Sequence, residues 1–322
     1  HFETSSTFSN GIAFDGNYAY LSAIFDGHFY KYRFNPSLAA SFTDAKQLRK
    51  TDSNQNVAGA MVIDDNKLYA ATTFSFDRKP EIYIFDLSQL QTPLKTITKE
   101  TLYDITDDKS LYSFYNPVVV GNYIYWGVCH TQSNSGAKIL RLNTKDYNDV
   151  RLFTSKQVKA NYTYGITVIG RTLFASTETG KILRLAINNS NGRLRENRSP
   201  IDISDYGISH IQHVVADAER NALWANTTGN GKSSSLIYFE NATDRTPKTH
   251  HYTANKIMNG RIYLGPANFL FGINAALDGY KLRKTSSGWD YARVKDFDYE
   301  NIGAILGGTI DPATGKHYVI GE

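Results

Sequence analysis

Short segments in which apolar and polar residues alternate recur along the whole chain. The clearest copy begins at residues 11–14, turns at Asp15 and Gly16, and continues through residues 18–21 and 27–34. A period of two predicts strands with one buried face, and the polar turn between them predicts a hairpin. The pattern therefore predicts units of antiparallel strands.

The unit repeats at a regular interval. Successive turns lie 44 to 57 residues apart, near Asp15, Asp64, Gly121, Gly170, Asp217, Ala267 and Asp311. The third strand recurs at 81–85, 138–142 and 181–185, and more weakly at 236–239 and 279–282. A polar fourth strand often follows, as at 149–153. One such meander cannot bury its own apolar face, so the copies must stack on one another.

Four-stranded repeats of this length resemble the blades of β-propellers over the whole chain. The resemblance implies an all-β propeller in one domain, 1–322, with seven four-stranded blades; six is the alternative. We expect residues 1–8 to pair with the C-terminal strands and close the ring, which would protect exposed strand edges. The spacing within 36–50 predicts a short helix. Trp-Asp blade ends, Asp boxes and kelch glycine pairs are missing, so no family within the class is indicated.

Charge and composition narrow the functional classes. The formal net charge is only +4, and the densest basic stretch, Arg193, Arg195 and Arg198, is interrupted by Glu196. Nucleic-acid binding needs clustered basic residues, so we do not expect it. No apolar run is long enough to span a membrane. The single cysteine, Cys129, lies in an apolar strand and is expected to be an inert core thiol.

The loops that enter each first strand are where propellers usually bind ligands. Asparagine and tyrosine recur in these loops, and the candidate binding residues are Asn10, Asn56, Tyr115, Asn116, Tyr162, Tyr164, His210, Asn255 and Asn301. Amide oxygens suit calcium or sugar hydroxyls, and tyrosine rings offer stacking faces. The alternative is that asparagine is simply common in turns.

Residues 9–16, Ser-Asn-Gly-Ile-Ala-Phe-Asp-Gly, resemble a segment of gluconolactonase-like, calcium-dependent propeller hydrolases. That resemblance implies a metal-binding role for Asn10 and a hydrolase or lactonase site in the central channel. Glu3 is a candidate for the acidic ligand near the chain start that this family has. Its remaining ligand and its catalytic aspartate have no counterpart that we can align.

Two further groups were considered as metal ligands. His210 and His213 are three apart, so on a regular strand they point to opposite faces and cannot share a metal unless the strand is bulged. Asp104, Asp107 and Asp108 lack the glycine and terminal glutamate of a calcium loop. A solvated turn is the expected structure there.

The sequence thus favours a non-enzymatic platform that recognises a protein or a glycan through the loops at one propeller face, acting in adhesion or binding outside the cytoplasm, whether secreted, periplasmic or at a surface. No cofactor is expected, although calcium would be required by the metal-dependent hydrolase alternative. A structural subunit of a surface assembly is the third possibility. The chain is expected to be a monomer or part of a larger assembly.

Overall fold

The structure, a computed structural model, describes residues 8–24, 28–35, 41–50, 56–75, 79–133, 135–208, 210–228, 234–254, 262–264, 270–273, 279–285, 288–294, 305–310 and 317–321. Within these ranges the protein is built of antiparallel β-strands. They are accompanied by one α-helix, α1 (Lys99–Thr106), and two 3₁₀ turns, Ser204–Tyr206 and Ala218–Arg220. The predicted all-β class is confirmed.

The chain divides into two compact units. Unit 1 comprises His1–Val119 and Leu306–Glu322, and unit 2 comprises Val120–Ile305. The boundary falls inside strand β11 (Leu111–Val120). The single domain over 1–322 stays a prediction.

Unit 1 contains two complete antiparallel sheets. The first runs in chain order through β1 (Phe8–Phe14), β2 (Tyr18–Ile24), β3 (His28–Asn35) and β4 (Ser41–Lys50). The second runs through β6 (Ala60–Asp64), β7 (Lys67–Ala71), β9 (Ile82–Asp86) and β10 (Lys95–Ile97). Two small sheets pair β5 (Asn56–Val57) with β8 (Phe74–Ser75), and β28 (Ile305–Ile310) with β29 (His317–Gly321).

Unit 2 repeats the same meander. One sheet joins β11 to β12 (Tyr123–His130), β13 (Gly136–Asn143) and β14 (Asp146–Lys159). The next sheet contains β15 (Thr163–Ile169), β16 (Thr172–Thr177), β17 (Lys181–Ile187), β18 (Leu194–Glu196) and β19 (Ile201–Asp202). Two more sheets contain β20 (His210–Asp217), β21 (Ala222–Thr228), β22 (Ser234–Glu240) and β23 (Lys248–Ala254), then β24 (Ile262–Leu264), β25 (Leu270–Ile273), β26 (Gly279–Thr285) and β27 (Gly288–Val294). The described chain holds six sheets of four or five strands.

Tight turns join first to second strands where the sequence predicts them. The Asp15 carboxylate accepts hydrogen bonds from the backbone N–H groups of Asn17 (2.8 Å) and Tyr18 (2.7 Å). Asp65 and Asn66 both have positive φ, of 46° and 57°, which is the backbone of a type I′ hairpin. Side chain and backbone thus fix the register at which each meander begins.

The cores lie between successive sheets. In unit 2, Phe174, Leu223, Ile237 and Phe239 belong to one buried cluster. In unit 1, Tyr20, Leu68, Tyr83 and Phe85 belong to another. Cys129 is buried, as predicted.

The predicted helix at 36–50 is wrong where the structure describes that segment. Residues 41–50 form β4, which pairs with β3 through contacts such as Phe34 with Phe42. Pairing with a neighbouring strand overrides the helical spacing, because residues 41–50 complete a sheet. The α-helix instead begins after Thr98, whose Oγ1 accepts the Thr101 N–H, and ends at Asp107 in the left-handed conformation.

Candidate binding site at the bulged first strands

The first strands of three sheets share a β-bulge near their amino-terminal ends. The register of pairing with the second strand shifts between Ser9 and Gly11 in β1, between Thr163 and Ile166 in β15, and between Ile211 and His213 in β20. A bulge leaves one residue outside the ladder and turns its side chain away from the regular alternation.

The same position can be found by counting back from the turn that follows each first strand. Asn10, Tyr115 and Tyr164 stand six residues before the turn glycines Gly16, Gly121 and Gly170. Asn116, next to Tyr115, has a positive φ of 20°, which marks an irregularity in β11 as well. Three of the predicted residues thus occupy one repeated place, which we call the bulge position. Gln212 occupies it in β20 and was not foreseen.

Tyr162 and Tyr164 form the best-defined part of the site. Their rings are stacked, with centroids 5.5 Å apart and planes 17° from parallel. Both side chains are half-buried, so each combines a fixed position with solvent access. Gly165, beside them, lies so close to the next first strand that a Cβ there would come within 2.8 Å of the Val214 nitrogen. The pair is therefore built into closely packed backbone.

The segment that carries the pair is held from both sides. On one side, the His130 N–H donates to the Asn161 carbonyl (3.0 Å), and His130 Nε2 donates to the Ala160 carbonyl (2.9 Å). On the other side, the Glu178 carboxylate accepts the Asn161 N–H at 2.6 Å, and the Glu178 N–H donates to the Tyr162 carbonyl at 3.3 Å. Four hydrogen bonds from His130 and Glu178 therefore fix three consecutive residues, 160–162.

The surroundings of Tyr164 keep its phenol neutral. Burial raises the pKa of Tyr164 well above its ordinary value, and the nearby Glu178 carboxylate and Tyr162 add to this. A neutral phenol both donates and accepts hydrogen bonds, and its ring presents an apolar face. With a carboxylate at Glu178, the site suits a partner that offers an apolar face together with hydroxyl or amino groups.

The other predicted residues lie in different places. Asn56 is in β5, where it pairs with Ser75, and is not at a bulge position. His210 begins β20 opposite Thr228, and the bulge at Gln212 removes the regular alternation between His210 and His213. Asn255 and Asn301 lie outside the described residues. His130 and Glu178 were missed, because their role depends on contacts that no local motif reveals.

The described residues were also compared with what a metal site and a membrane span require. No group of three or more His, Cys, Asp or Glu side chains there is placed to hold a metal ion. Asp108 accepts hydrogen bonds from the N–H and hydroxyl of Ser110, as a polar turn residue would. None of the described helices has the length and apolar character to cross a membrane.

Sequence comparisons find no relatives: no protein-family model matches the chain, and no curated protein matches it. Solved structures do match. The WD40 β-propeller domain of Doa1 superposes with a TM-score of 0.68 at 8% identity, covering 99% of this chain and 91% of that one.

Two bacterial structures are also similar. The periplasmic gluconolactonase PpgL of Pseudomonas aeruginosa gives a TM-score of 0.64 at 11% identity, covering 89% of this chain and 84% of that one. BamB from Moraxella catarrhalis gives 0.57 at 12% identity, covering 100% and 87%. Identities this low establish the fold alone. The predicted class is confirmed, and the chain has a β-propeller-like fold.

Proposed function

We propose that the protein is a non-enzymatic recognition platform that binds a protein or a glycan through its bulge positions and the loops beside them. The observation that carries this proposal is the stacked Tyr162–Tyr164 pair, held rigidly and still half-accessible. Tyrosine gives a large contact area at low conformational cost, and a fixed backbone reduces the ordering that binding requires.

The described carboxyl groups support binding over catalysis. A metal-assisted hydrolase would use a carboxylate whose pKa is tuned for proton transfer. The carboxyl groups whose pKa shifts within the described residues, Asp86, Glu100, Asp149 and Asp202, all shift downward, which keeps them ionised at neutral pH. Large exposed apolar side chains there are limited to Leu94 and Tyr206, which favours recognition over a structural subunit role.

The proposal is tested by replacing the pair. The double variant Tyr162→Ala and Tyr164→Ala should lose binding to whatever a panel of neutral glycans and extracellular proteins identifies for the wild type. Tyr206→Ala is the matched control, because Tyr206 is 44% exposed and lies elsewhere in unit 2. Equal binding by the double variant and the wild type, with both folded, would contradict the proposal.

A lactonase is the second candidate. Asn10, which the sequence links to calcium-dependent hydrolases, occupies the bulge of β1, and PpgL is a structural neighbour. This candidate predicts lactone hydrolysis that EDTA abolishes, that calcium restores and that Asn10→Ala lowers. Thermal unfolding with and without EDTA gives an independent measure, since a metal that binds only the folded protein raises the midpoint.

We also propose seven blades, closed by terminal strands, and a location outside the cytoplasm. Six sheets of four or five strands and the separate β28–β29 pair support the count, and β29 lies beside β1. The periplasmic neighbour PpgL supports the location. Deletion of residues 1–7 should lower the unfolding midpoint if those residues contribute to closure.

A further inference from the structure

Two arginines of the basic stretch remain unused by the proposed recognition site. Arg193 immediately precedes β18 and Arg195 lies within it, and both line the same cavity. Both are exposed, and neither forms an ion pair with any residue in the described ranges. Two cavities meet at this strand, of about 410 and 400 Å³, and they share Asn191 and Arg193.

We call the two adjoining cavities the arginine groove. Its polar lining includes Asn148, Arg151, Asn188, Asn191, Arg193 and Arg195. Its floor is rigid because the neighbouring sheet holds three successive carbonyls. The Tyr123 hydroxyl donates to Ser190 O at 3.3 Å, an Arg141 Nη to Asn191 O at 2.9 Å, and the Tyr125 hydroxyl to Gly192 O at 2.6 Å.

Hydrogen bonds within residues 188–192 also hold the turn that precedes β18. The Asn188 carbonyl accepts the Gly192 N–H at 2.9 Å, and the Asn188 side-chain oxygen accepts the N–H and hydroxyl of Ser190. Gly192 has φ +63° and lies against the Tyr123 ring, so a Cβ would come within 2.5 Å of that ring. The groove is therefore formed before a ligand binds, which reduces the entropic cost of binding.

The charge of the groove is positive once internal pairs are counted. Asp149 already accepts from Arg141 and Asn143, and it lies 3.4 Å from the Nε of Arg151. Arg193, Arg195 and the outer nitrogens of Arg151 remain directed to solvent, opposed mainly by the exposed Asp146. Planar guanidinium groups bind carboxylate and sulfate oxygens well.

We propose that the arginine groove binds an anionic oligosaccharide carrying carboxylate or sulfate groups. Two residues of extended chain span about 6.6 Å at most, so Arg193 and Arg195, which line one cavity, can meet successive anionic groups on a chain. The Asn188 and Asn191 side-chain oxygens already accept bonds within the turn, so these two residues offer their NH2 groups as donors, and the exposed Asn148 amide offers both a donor and an acceptor. Such amides beside arginines suit a chain that carries hydroxyl groups between its anionic groups.

The test compares four probes on the whole protein: a sulfated polysaccharide, a polyuronate, neutral dextran and poly-glutamate. We expect binding to one or both anionic polysaccharides, and we expect Arg193→Ala with Arg195→Ala to weaken it by about tenfold or more. The control removes the same charge from two other exposed positions, Lys156→Ala with Arg245→Ala, and should stay within about twofold of wild type. Tyr162→Ala should leave this binding unchanged, which separates it from the proposed recognition site.

Each outcome either supports or overturns the proposal that the groove binds an anionic oligosaccharide. Preference for the sulfated or the carboxylated polymer identifies the anionic group. Failure of both anionic polysaccharides to bind, an equal loss in the control variant, or stronger binding of poly-glutamate would overturn the proposal. Matching thermal midpoints for all variants exclude loss of fold as the cause.

Discussion

Arg141 and Arg184 occupy the same place in neighbouring sheets, but their buried guanidinium groups have different hydrogen-bond partners. Each lies in a Lys-Ile-Leu-Arg-Leu third strand, opposite an aromatic residue of the second strand, Tyr125 or Phe174. Both are almost completely buried. Arg141 bonds a carboxylate, Asp149, and one carbonyl of the next sheet, Asn191.

Arg184 has no carboxylate partner among the described residues. It donates instead to the carbonyls of Ser199, Asp244 and Arg245. Burial lowers the pKa of Arg184, and the nearby Arg198 lowers it further. The comparison shows that carbonyl dipoles alone can hold a guanidinium at this position. In both sheets the arginine fastens a turn of the following sheet, about fifty to sixty residues ahead.

The largest effect is expected at Arg184. Arg184→Ala should lower the free energy of unfolding by about 3 kcal/mol, because the buried side chain leaves a cavity and three backbone carbonyls lose their donors. Urea unfolding measures this directly. Arg245→Ala, which removes an exposed side chain and keeps the backbone carbonyl, should change stability by less than about 0.5 kcal/mol. A loss at Arg184 as small as that of the control would mean that the carbonyl contacts contribute little.

A smaller effect is expected at Arg141. Arg141→Ala should cost about 2 kcal/mol, since water can reach the Asp149 carboxylate and solvate it after the arginine is gone. The double variant Arg141→Ala and Asp149→Ala should cost less than the two single changes added together, because the pair is lost only once. Strict additivity would show that the pair contributes no coupling energy and would break the contrast with Arg184.

The strands and turns behind these predictions can be predicted from the sequence, but the contacts between sheets cannot. The repeated turns and third strands are local patterns, so the sheets could be predicted from Asp15 or residues 138–142 without a structure. The helix expected within 36–50 failed because strand pairing is a tertiary contact. The partner of Arg141 lies fifty residues away at Asn191, and no spacing rule identifies it.

The candidate site shows the same division. Tyr115, Tyr162 and Tyr164 were found because they stand just before the apolar runs by which the sequence marks the first strands, although the structure places Tyr115 and Tyr164 inside β11 and β15. Gln212 was missed because a bulge is a feature of register and leaves no composition signal. Glu178 was missed because it reaches the site from the turn of another hairpin.

The smallest expected effect is a pH dependence that the Arg141 position has and the Arg184 position lacks, because only Arg141 pairs with a carboxylate. Burial opposes ionisation of Asp149, but hydrogen bonds from Arg141 and Asn143 and the charge of Arg151 outweigh it and lower its pKa. A lowered folded pKa stabilises the protein above the unfolded value of about 3.9, and this contribution is lost as the pH falls through the folded value. Asp149→Asn should therefore flatten the decline of unfolding free energy between about pH 5 and pH 2.

Asp146→Asn is the control for that measurement, because Asp146 is exposed and its carboxylate accepts the N–H of nearby Asn148 at 3.0 Å. The Arg184→Ala variant should keep the wild-type pH dependence, since no carboxylate faces that guanidinium in the described chain. Identical pH profiles for Asp149→Asn and wild type would remove the electrostatic difference between the two sheets.

The bulge in the first strands has a consequence for how such a protein changes over evolutionary time. Because the extra residue lies outside the ladder, its replacement does not disturb the pairing on either side. Asparagine, tyrosine and glutamine already occupy this place at Asn10, Tyr164 and Gln212 in one chain. If the proposed function holds, natural selection can thus alter ligand preference one sheet at a time, while the architecture that supports the change is inherited intact.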